Sequence, residues 1–373
     1  MRVLLVPATY YPKVGGVEEA TRQLARELRR RSDSVAILTS RWRGSGPSGV
    51  VEDVEVTRVP FRLPGPTVRE RSQFLVEAPP AAVSVLAAVR RFRPDVVHVM
   101  AAGPAVAYFA ALRPLVRAAL LLTSHGELGI ASDRIFHRSR ALRWALKRLL
   151  AGEAAAVTAC SRFVLDELAA EFRLSVHAEV IPNGVDLEEL DVPAADEGRY
   201  LFAAGRLVEQ KGFDVLLNAL ARAGDELSDL RLLVAGTGRD GPRLENLAKK
   251  LGLEDRVRWL GPVGRERLAS LLKGAELVAV PSRHEPFGII LLEAMAAEKA
   301  AVASRVGGIP EFAEGSALLV PPDDPDALAS ALVRLARDES LRASLGEAGR
   351  TQAQRYAWPL IADRYQAVYR RVV

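Results

Sequence analysis

Pro281-Ser282-Arg283-His284-Glu285-Pro286-Phe287-Gly288-Ile289-Ile290-Leu291-Leu292-Glu293-Ala294-Met295 follows a short apolar run, Leu277–Val280. Continuous apolarity over a few residues suits a strand buried on both faces. Prolines and a glycine then punctuate a loop that presents Glu285, and an apolar helix opens near Phe287. Strand, loop and helix in this order form the unit of a parallel sheet. The first turn of such a helix offers free N–H groups and the positive end of its dipole to an anion. Glu293 lies two turns past Glu285 and can point toward the same ligand. A solvated charge is the ordinary alternative for Glu293, but it fits poorly between Leu292 and Ala294-Met295.

The same alternation extends in both directions. Around that unit, Tyr200–Ala204, Arg231–Ala235, Val257–Leu260 and Ala301–Ser304 read as strands, with helices near 211–223, 242–251, 264–274, 287–297 and 325–337. Upstream, Arg2–Val6, Val35–Leu38, Val54–Val59, Asp95–Met100, Leu120–Ser124 and Ala155–Ala159 are strands. Helices are expected over 16–31, within 72–92 with Pro79 and Pro80 near its start, and over 103–112, 134–151 and 162–172, the last capped by Ser161. The reading is two doubly wound Rossmann-like α/β domains. Their strand ends would face each other across a cleft, where parallel sheets bind ligands. The boundary is placed at Ile181-Pro182-Asn183-Gly184, giving domains 1–182 and 183–357.

A chain of 373 residues has room for two such domains at roughly 150 residues each. Its 26 % charged and 49 % apolar residues exclude global disorder. A single cysteine, Cys160, excludes a disulfide framework and a multi-thiolate zinc site. The N-terminus has too short an apolar run for a signal peptide, and Ala101–Thr123 is broken by Arg113, Pro114 and Arg117, so no transmembrane helix is expected. The expected location is cytoplasmic. Residues 1–182 hold 26 basic and 17 acidic side chains, the remainder 25 and 29. A basic first half suits an anionic partner, but arginines dispersed over many elements, with no aromatic platform between them, argue against nucleic acid.

Three further segments carry candidate chemistry. In Gly205-Arg206-Leu207-Val208-Glu209-Gln210-Lys211-Gly212, two cations bracket a strand-to-helix turn and can converge on a diphosphate; an exposed loop pair is the alternative. Gly15-Gly16-Val17-Glu18 opens a helix close to any ligand at the first strand's end, or merely makes a tight turn. Ser124-His125-Gly126-Glu127 ends a buried strand where residues are delivered to a crevice, and a structural histidine is the alternative.

The Pro281–Met295 segment resembles the signature of the retaining glycosyltransferases of family GT4, which have the GT-B fold. Pro182-Asn183-Gly184-Val185-Asp186, Gly307-Gly308-Ile309-Pro310-Glu311 and Leu318-Leu319-Val320-Pro321-Pro322-Asp323-Asp324-Pro325 extend the resemblance over the chain, while Gly236–Pro242 is longer than the family's loop. The resemblance implies a hexosyl donor linked to UDP or GDP and a hydroxyl acceptor: a glycan, lipid or small molecule. It assigns Arg206 and Lys211 to the diphosphate and Glu285 and His125 to the sugar. Glu293 falls to the ribose, and Gly16 with the amides of Phe287, Gly288 and Ile289 to the sugar or phosphates. Gly15 and Glu127 fall on the acceptor side. It also implies that helix 358–373 packs back on the first domain.

Glu285 is the only carboxylate placed at the sugar and the resemblance assigns it to hydroxyl binding, so the resemblance implies same-face substitution rather than a covalent intermediate. Charge on the leaving diphosphate would be met by cations, so neither a metal nor a cofactor is expected. A sugar-nucleotide 2-epimerase, an inverting transferase and a non-catalytic nucleotide-sugar-binding protein are the alternatives. Arg138, Arg140, Arg143, Lys147 and Arg148 share a helix with Leu142, Trp144, Leu146, Leu149 and Leu150. Such a helix either lies on an anionic membrane, placing the protein at its inner face, or packs on its own domain; packing is the favoured reading.

Overall fold

The computed structural model describes residues 1–13, 15–42, 44–46, 48–126 and 139–373. They form two compact units, Met1–Asn183 with Trp358–Val373, and Gly184–Ala357.

The first unit holds strands β1 (Arg2–Val6), β2 (Ser34–Ser40), β3 (Gly49–Val51), β4 (Val54–Val59), β5 (Val96–Val99), β6 (Ala119–Ser124), β7 (Ala156–Ala159) and β8 (Ala178–Val180). Their spatial order is β3-β4-β2-β1-β5-β6-β7-β8. Every pair is parallel except β3 with β4. Successive strand residues point to opposite faces. Thus Leu4 and Val6 enter one apolar layer, and Val3 and Leu5 the other. Burial on both faces is why these strands lack polar alternation. The first layer is closed by helices α2 (Val68–Phe92), α3 (Pro104–Leu112) and α4 (Arg140–Arg148). The second is closed by α1 (Gly16–Arg30) and by the C-terminal helix, Trp358–Val372. Helix α5 (Arg162–Glu171) begins at Ser161, whose hydroxyl accepts from the Val164 N–H as expected of an N-cap.

A buried polar chain fixes the C-terminal helix. His98 of β5 pairs through Nδ1 with the Tyr369 hydroxyl at 2.7 Å and through Nε2 with Thr123 Oγ1 at 2.6 Å. Thr123 continues to Thr158 at 2.6 Å. Burial, reinforced by nearby His125, pushes the His98 imidazole down to about 3, so it is neutral.

The second unit holds β9 (Tyr200–Ala204), β10 (Arg231–Ala235), β11 (Val257–Gly261), β12 (Leu277–Val280), β13 (Ala301–Ser304) and β14 (Leu318–Val320). All are parallel, in the order β11-β10-β9-β12-β13-β14. Its helices are α6 (Phe213–Ala223), α7 (Gly241–Lys250), α8 (Arg265–Gly274), α9 (Ile289–Ala296), α10 (Pro310–Ala313), α11 (Pro325–Arg337) and α12 (Glu339–Gln354). Asp324 caps α11 by accepting from the N–H groups of Asp326 and Ala327. The chain winds from β9 outward to β11, then returns to β12 on the other side of β9. That reversal makes the β9–β12 crevice a topological switch point.

Three expectations need correction. Helix α2 starts at Val68, and Pro79-Pro80 lie in its interior. Thr67 and Glu70 form a capping box that starts it early. The prolines sit on its exposed side, where the carbonyls they leave unbonded meet water. This helix is also long and apolar enough to cross a membrane by length and composition alone, although none was expected. Helix α9 opens at Ile289, because Gly288 has φ 106° and cannot be helical. Helix α4 follows the packing reading. Leu142, Leu146, Leu149 and Leu150 are buried, while Arg143 and Arg148 pair with Glu171 and Glu153. Arg138 lies outside the described residues.

Candidate active site

The loops after β9 and β12 meet at the switch point of the second unit. The N–H of Arg283 donates to the Gln210 carbonyl at 2.8 Å, joining the two backbones. Gly212, at φ 63°, makes this contact sterically feasible, since a Cβ there would lie 1.9 Å from the Pro281 carbonyl oxygen. Across the joint the Lys211 ammonium donates to Glu285 Oε2 at 2.5 Å. Ser282 Oγ donates to the same oxygen at 3.1 Å. Glu285 is buried and Lys211 partly so. Its backbone is clamped as well: the Gly308 N–H donates to the Glu285 carbonyl at 3.0 Å. Gly307, at φ 57°, allows that approach, since a Cβ there would lie 1.9 Å from the same oxygen.

Arg206 stands apart from this pair. It is exposed, and among the described residues no ion pair engages its guanidinium. Arg283 fastens the loop instead, donating to both Asp214 oxygens at 2.8 and 3.0 Å. Burial alone would raise the Asp214 carboxyl, but these bonds hold it below its ordinary value. Burial pushes the His284 imidazole down, with Glu285 opposing.

Glu293 is buried, which rejects the solvated-charge reading. Its Oε1 accepts from Arg265 Nη1 of α8 at 2.6 Å, and Arg265 Nη2 reaches Glu189 Oε2 at 2.9 Å. The sequence reading missed Arg265, Glu189 and Ser282. Only Ser282 left a signal, its place three residues before Glu285. The Phe287 side chain is core, its ring 4.9 Å from that of Phe312. The main-chain N–H groups of Gly288 and Ile289 stand at the start of α9.

In the first unit, Gly15 is the extended N-cap of α1 and Gly16 its first residue. The Glu18 carboxylate lies against Gly15 and accepts from the Thr9 hydroxyl. His125 follows β6 and is half-buried. Burial lowers its imidazole to about 4, so it is neutral near pH 7. Glu127 lies outside the described residues.

Comparison with known proteins covers both halves of the chain. Residues 188–352 match the family model described as glycosyl transferases group 1, and residues 14–189 match glycosyltransferase family 4. An uncharacterized glycosyltransferase of Methanocaldococcus jannaschii is 30 % identical over 65 % of this chain and 67 % of its own length. A D-inositol 3-phosphate glycosyltransferase of Saccharomonospora viridis is 38 % identical over 52 % of this chain. That alignment takes in 50 % of the relative, and the chain spans about half the length of most curated relatives it matches. Among solved structures, sucrose-phosphate synthase from Thermosynechococcus elongatus superposes with a TM-score of 0.82 at 25 % identity, covering 100 % of this chain and 99 % of that one. An Anabaena protein solved with UDP and glucose gives 0.80 at 20 % identity, with 100 % of each chain covered, a likeness of fold alone. The chain belongs to the family 4 (group 1) glycosyltransferases, and its two parallel-sheet units have the GT-B fold.

Proposed function

We propose that the protein is a retaining glycosyltransferase that moves a hexosyl group from a UDP- or GDP-sugar to a hydroxyl acceptor. The observation that carries this is the Lys211–Glu285 pair at the β9–β12 switch point, with Arg206 on the same β9 loop. A diphosphate leaving group needs cations where its charge develops. Lys211 and Arg206 supply them, with the N–H groups at the start of α9. Glu285 accepts from sugar hydroxyls and holds the Lys211 ammonium in place. Glu293, fixed by Arg265, accepts from the ribose. His125, neutral near pH 7, serves the sugar as a hydrogen-bonding group rather than a cation. Gly15 and Gly16 allow donor and acceptor to approach the main chain.

With positioning and charge stabilisation supplied this way, the departing phosphate oxygen takes the acceptor proton on the same face of the sugar. UDP is the favoured nucleotide, since the Anabaena structure of the same fold holds it. A phosphorylated polyol or sugar is the acceptor class to try first. The Saccharomonospora relative is named for inositol 3-phosphate, and the first half of this chain is basic.

A panel of UDP-, GDP- and ADP-sugars, read by thermal stabilisation and donor hydrolysis, tests the donor. The anomeric configuration of the product then tests the mechanism. Stabilisation by a UDP- or GDP-sugar with retained configuration is expected. No response to any of them, an inverted linkage or an epimerised nucleotide sugar would overturn the reading.

A further inference from the structure

Helix α1 turns a stripe of arginines toward a cavity of the first unit. Arg22, Arg26 and Arg29 follow the i, i+4, i+7 spacing, which sets them within an arc of about 60° on one helix face. With Arg30 they line a cavity of about 400 Å³ between α1 and the β3–β4 turn. Ala25 and Val54 supply an apolar wall. Small-molecule sites have this size and this mixture of apolar wall and convergent polar groups. Four guanidinium groups face one carboxylate in the lining, that of Glu52. The turn that carries Glu52 is strained: Glu52 and Asp53 have φ 46° and 59°, the left-handed region that side chains avoid. Two arginines hold it against α1. Arg29 Nη1 donates to the Glu52 carbonyl at 3.0 Å, and Arg22 Nη1 reaches the Glu52 carboxylate at 3.4 and 3.5 Å.

The carboxylate contacts are long, and Glu52 is half exposed, so it meets the arginines loosely. Arg22 is buried and keeps Glu19 at 2.7 Å as a second partner. Arg30 pairs with Glu27 at 3.0 Å, but Glu27 is shared with Arg31 at 2.7 Å. Arg29 has no carboxylate partner among the described residues, and its guanidinium meets only the Glu52 carbonyl. We propose that this cavity binds a small soluble phosphate monoester, at a site separate from the one proposed for transfer. A phosphate ester carries a charge near −2 and three acceptor oxygens. Planar forks repeated along one stripe can meet several of those oxygens at once with short charge-assisted bonds, whereas a carboxylate satisfies one fork. The ester displaces the Glu52 carboxylate, which swings into water. The separation follows from the helix and the sheet. Gly16 begins α1, and Arg29 lies about 20 Å further along it. Glu52 and Val54 stand at the entry of β4, the opposite end from the strand ends that deliver His125.

Titration calorimetry of the full chain with inorganic phosphate and with glucose 6-phosphate, at ionic strength held constant with chloride, tests this. Saturable binding of both probes is expected. Arg26→Ser with Arg29→Ser should weaken it about tenfold. Glu52→Gln should instead tighten it about threefold, because it removes the one competing carboxylate from the lining. Opposite signs from two substitutions in one cavity separate a binding site from a general loss of fold, and circular dichroism without ligand checks that both variants are folded. Lys211→Met serves as the control for the second unit and should leave the binding unchanged. Absence of saturable binding overturns the proposal, as does binding that the arginine pair leaves intact or that Glu52→Gln weakens. Binding lost in Lys211→Met also overturns it, because the phosphate then sits at the β9–β12 crevice.

Discussion

Replacing Lys211 by methionine keeps the side-chain length and removes only the charge. Glu285 Oε2 then loses a partner at 2.5 Å and keeps the neutral Ser282 hydroxyl at 3.1 Å. The Glu285 side chain is only 8 % exposed, so water replaces the ammonium poorly. Breaking a buried pair costs about 3–5 kcal/mol. Lys211 is 22 % exposed, which places this case at the lower end, about 3 kcal/mol. For a domain the size of the second unit that is a fall in Tm of about 6–12 °C. Separately, removing one group that stabilises leaving-group charge costs about 2–4 kcal/mol of activation free energy, or roughly 30- to 1,000-fold in kcat. The two effects come apart in the double variant Lys211→Met with Glu285→Gln, in which a neutral pair replaces the ionic one. Its Tm should recover most of the loss, while transfer stays low. Arg206→Ala should lower transfer by a similar factor with Tm unchanged, because Arg206 is exposed and unpaired among the described residues. Calorimetry and turnover at saturating donor decide it. Normal turnover in Lys211→Met refutes the leaving-group role, and recovery of turnover together with Tm in the double variant shows that the loss was one of folding.

Glu293→Gln should weaken the free nucleoside diphosphate as well as the donor, whereas Glu285→Gln should spare the diphosphate and lower transfer. Titration calorimetry with the diphosphate alone reverses the donor's placement if the pattern is opposite. Arg265→Met should weaken the ribonucleotide about tenfold and the 2′-deoxy analogue less, because it frees the carboxylate proposed to meet the ribose. Equal losses for both nucleotides would mean that Arg265 merely supports the fold. His98 and His125 are held neutral, with folded values of about 3 and about 4 against an ordinary 6.5. Above about pH 6.5 both are neutral in either state and stability is flat; as pH falls toward about 4 the unfolded chain binds protons that the folded one does not. Stability should therefore drop by up to about 1.4 kcal/mol per pH unit for each histidine. Urea titrations should show a shallower slope for His98→Gln, and an unchanged slope would acquit His98.

Much of this architecture could be read in the sequence because a parallel sheet buried on both faces writes each strand as an apolar run. Where the pattern misled, tertiary packing overrode a local signal. Helix α12, which contains Gly346 and Gly349, has no counterpart in the sequence reading. Both lie against the neighbouring chain: a Cβ on Gly346 would sit 2.5 Å from the Glu298 carbonyl oxygen, and one on Gly349 3.3 Å from Met295. They are helical glycines that permit close approach to α9, not helix breakers. Strand β3, in a Gly/Ser/Pro-rich stretch, has too few apolar residues to show itself, and pairing with β4 makes it a strand.

The candidate site divides along the same line. Glu285 and Glu293 stood out because a carboxylate in an apolar helix or a proline-bounded loop needs a reason. Lys211 stood out as a phosphate-binding cation, but nothing local pairs it with Glu285, and nothing local marks Arg265. Lys211 is 74 residues from Glu285, and Arg265 is 28 residues from Glu293. What brings Lys211 to Glu285 is strand order: β9 and β12 are neighbours only because the chain reverses between them. Arg265 arrives differently, on a helix packed beside α9. A second family member could keep both glutamates and the lysine yet replace Arg265, and its Glu293 would then need another cation or a different ribose geometry. On the proposed placement of the ribose at Glu293, Arg265 is therefore a residue at which nucleotide recognition can be tuned without touching the groups proposed to face the leaving diphosphate.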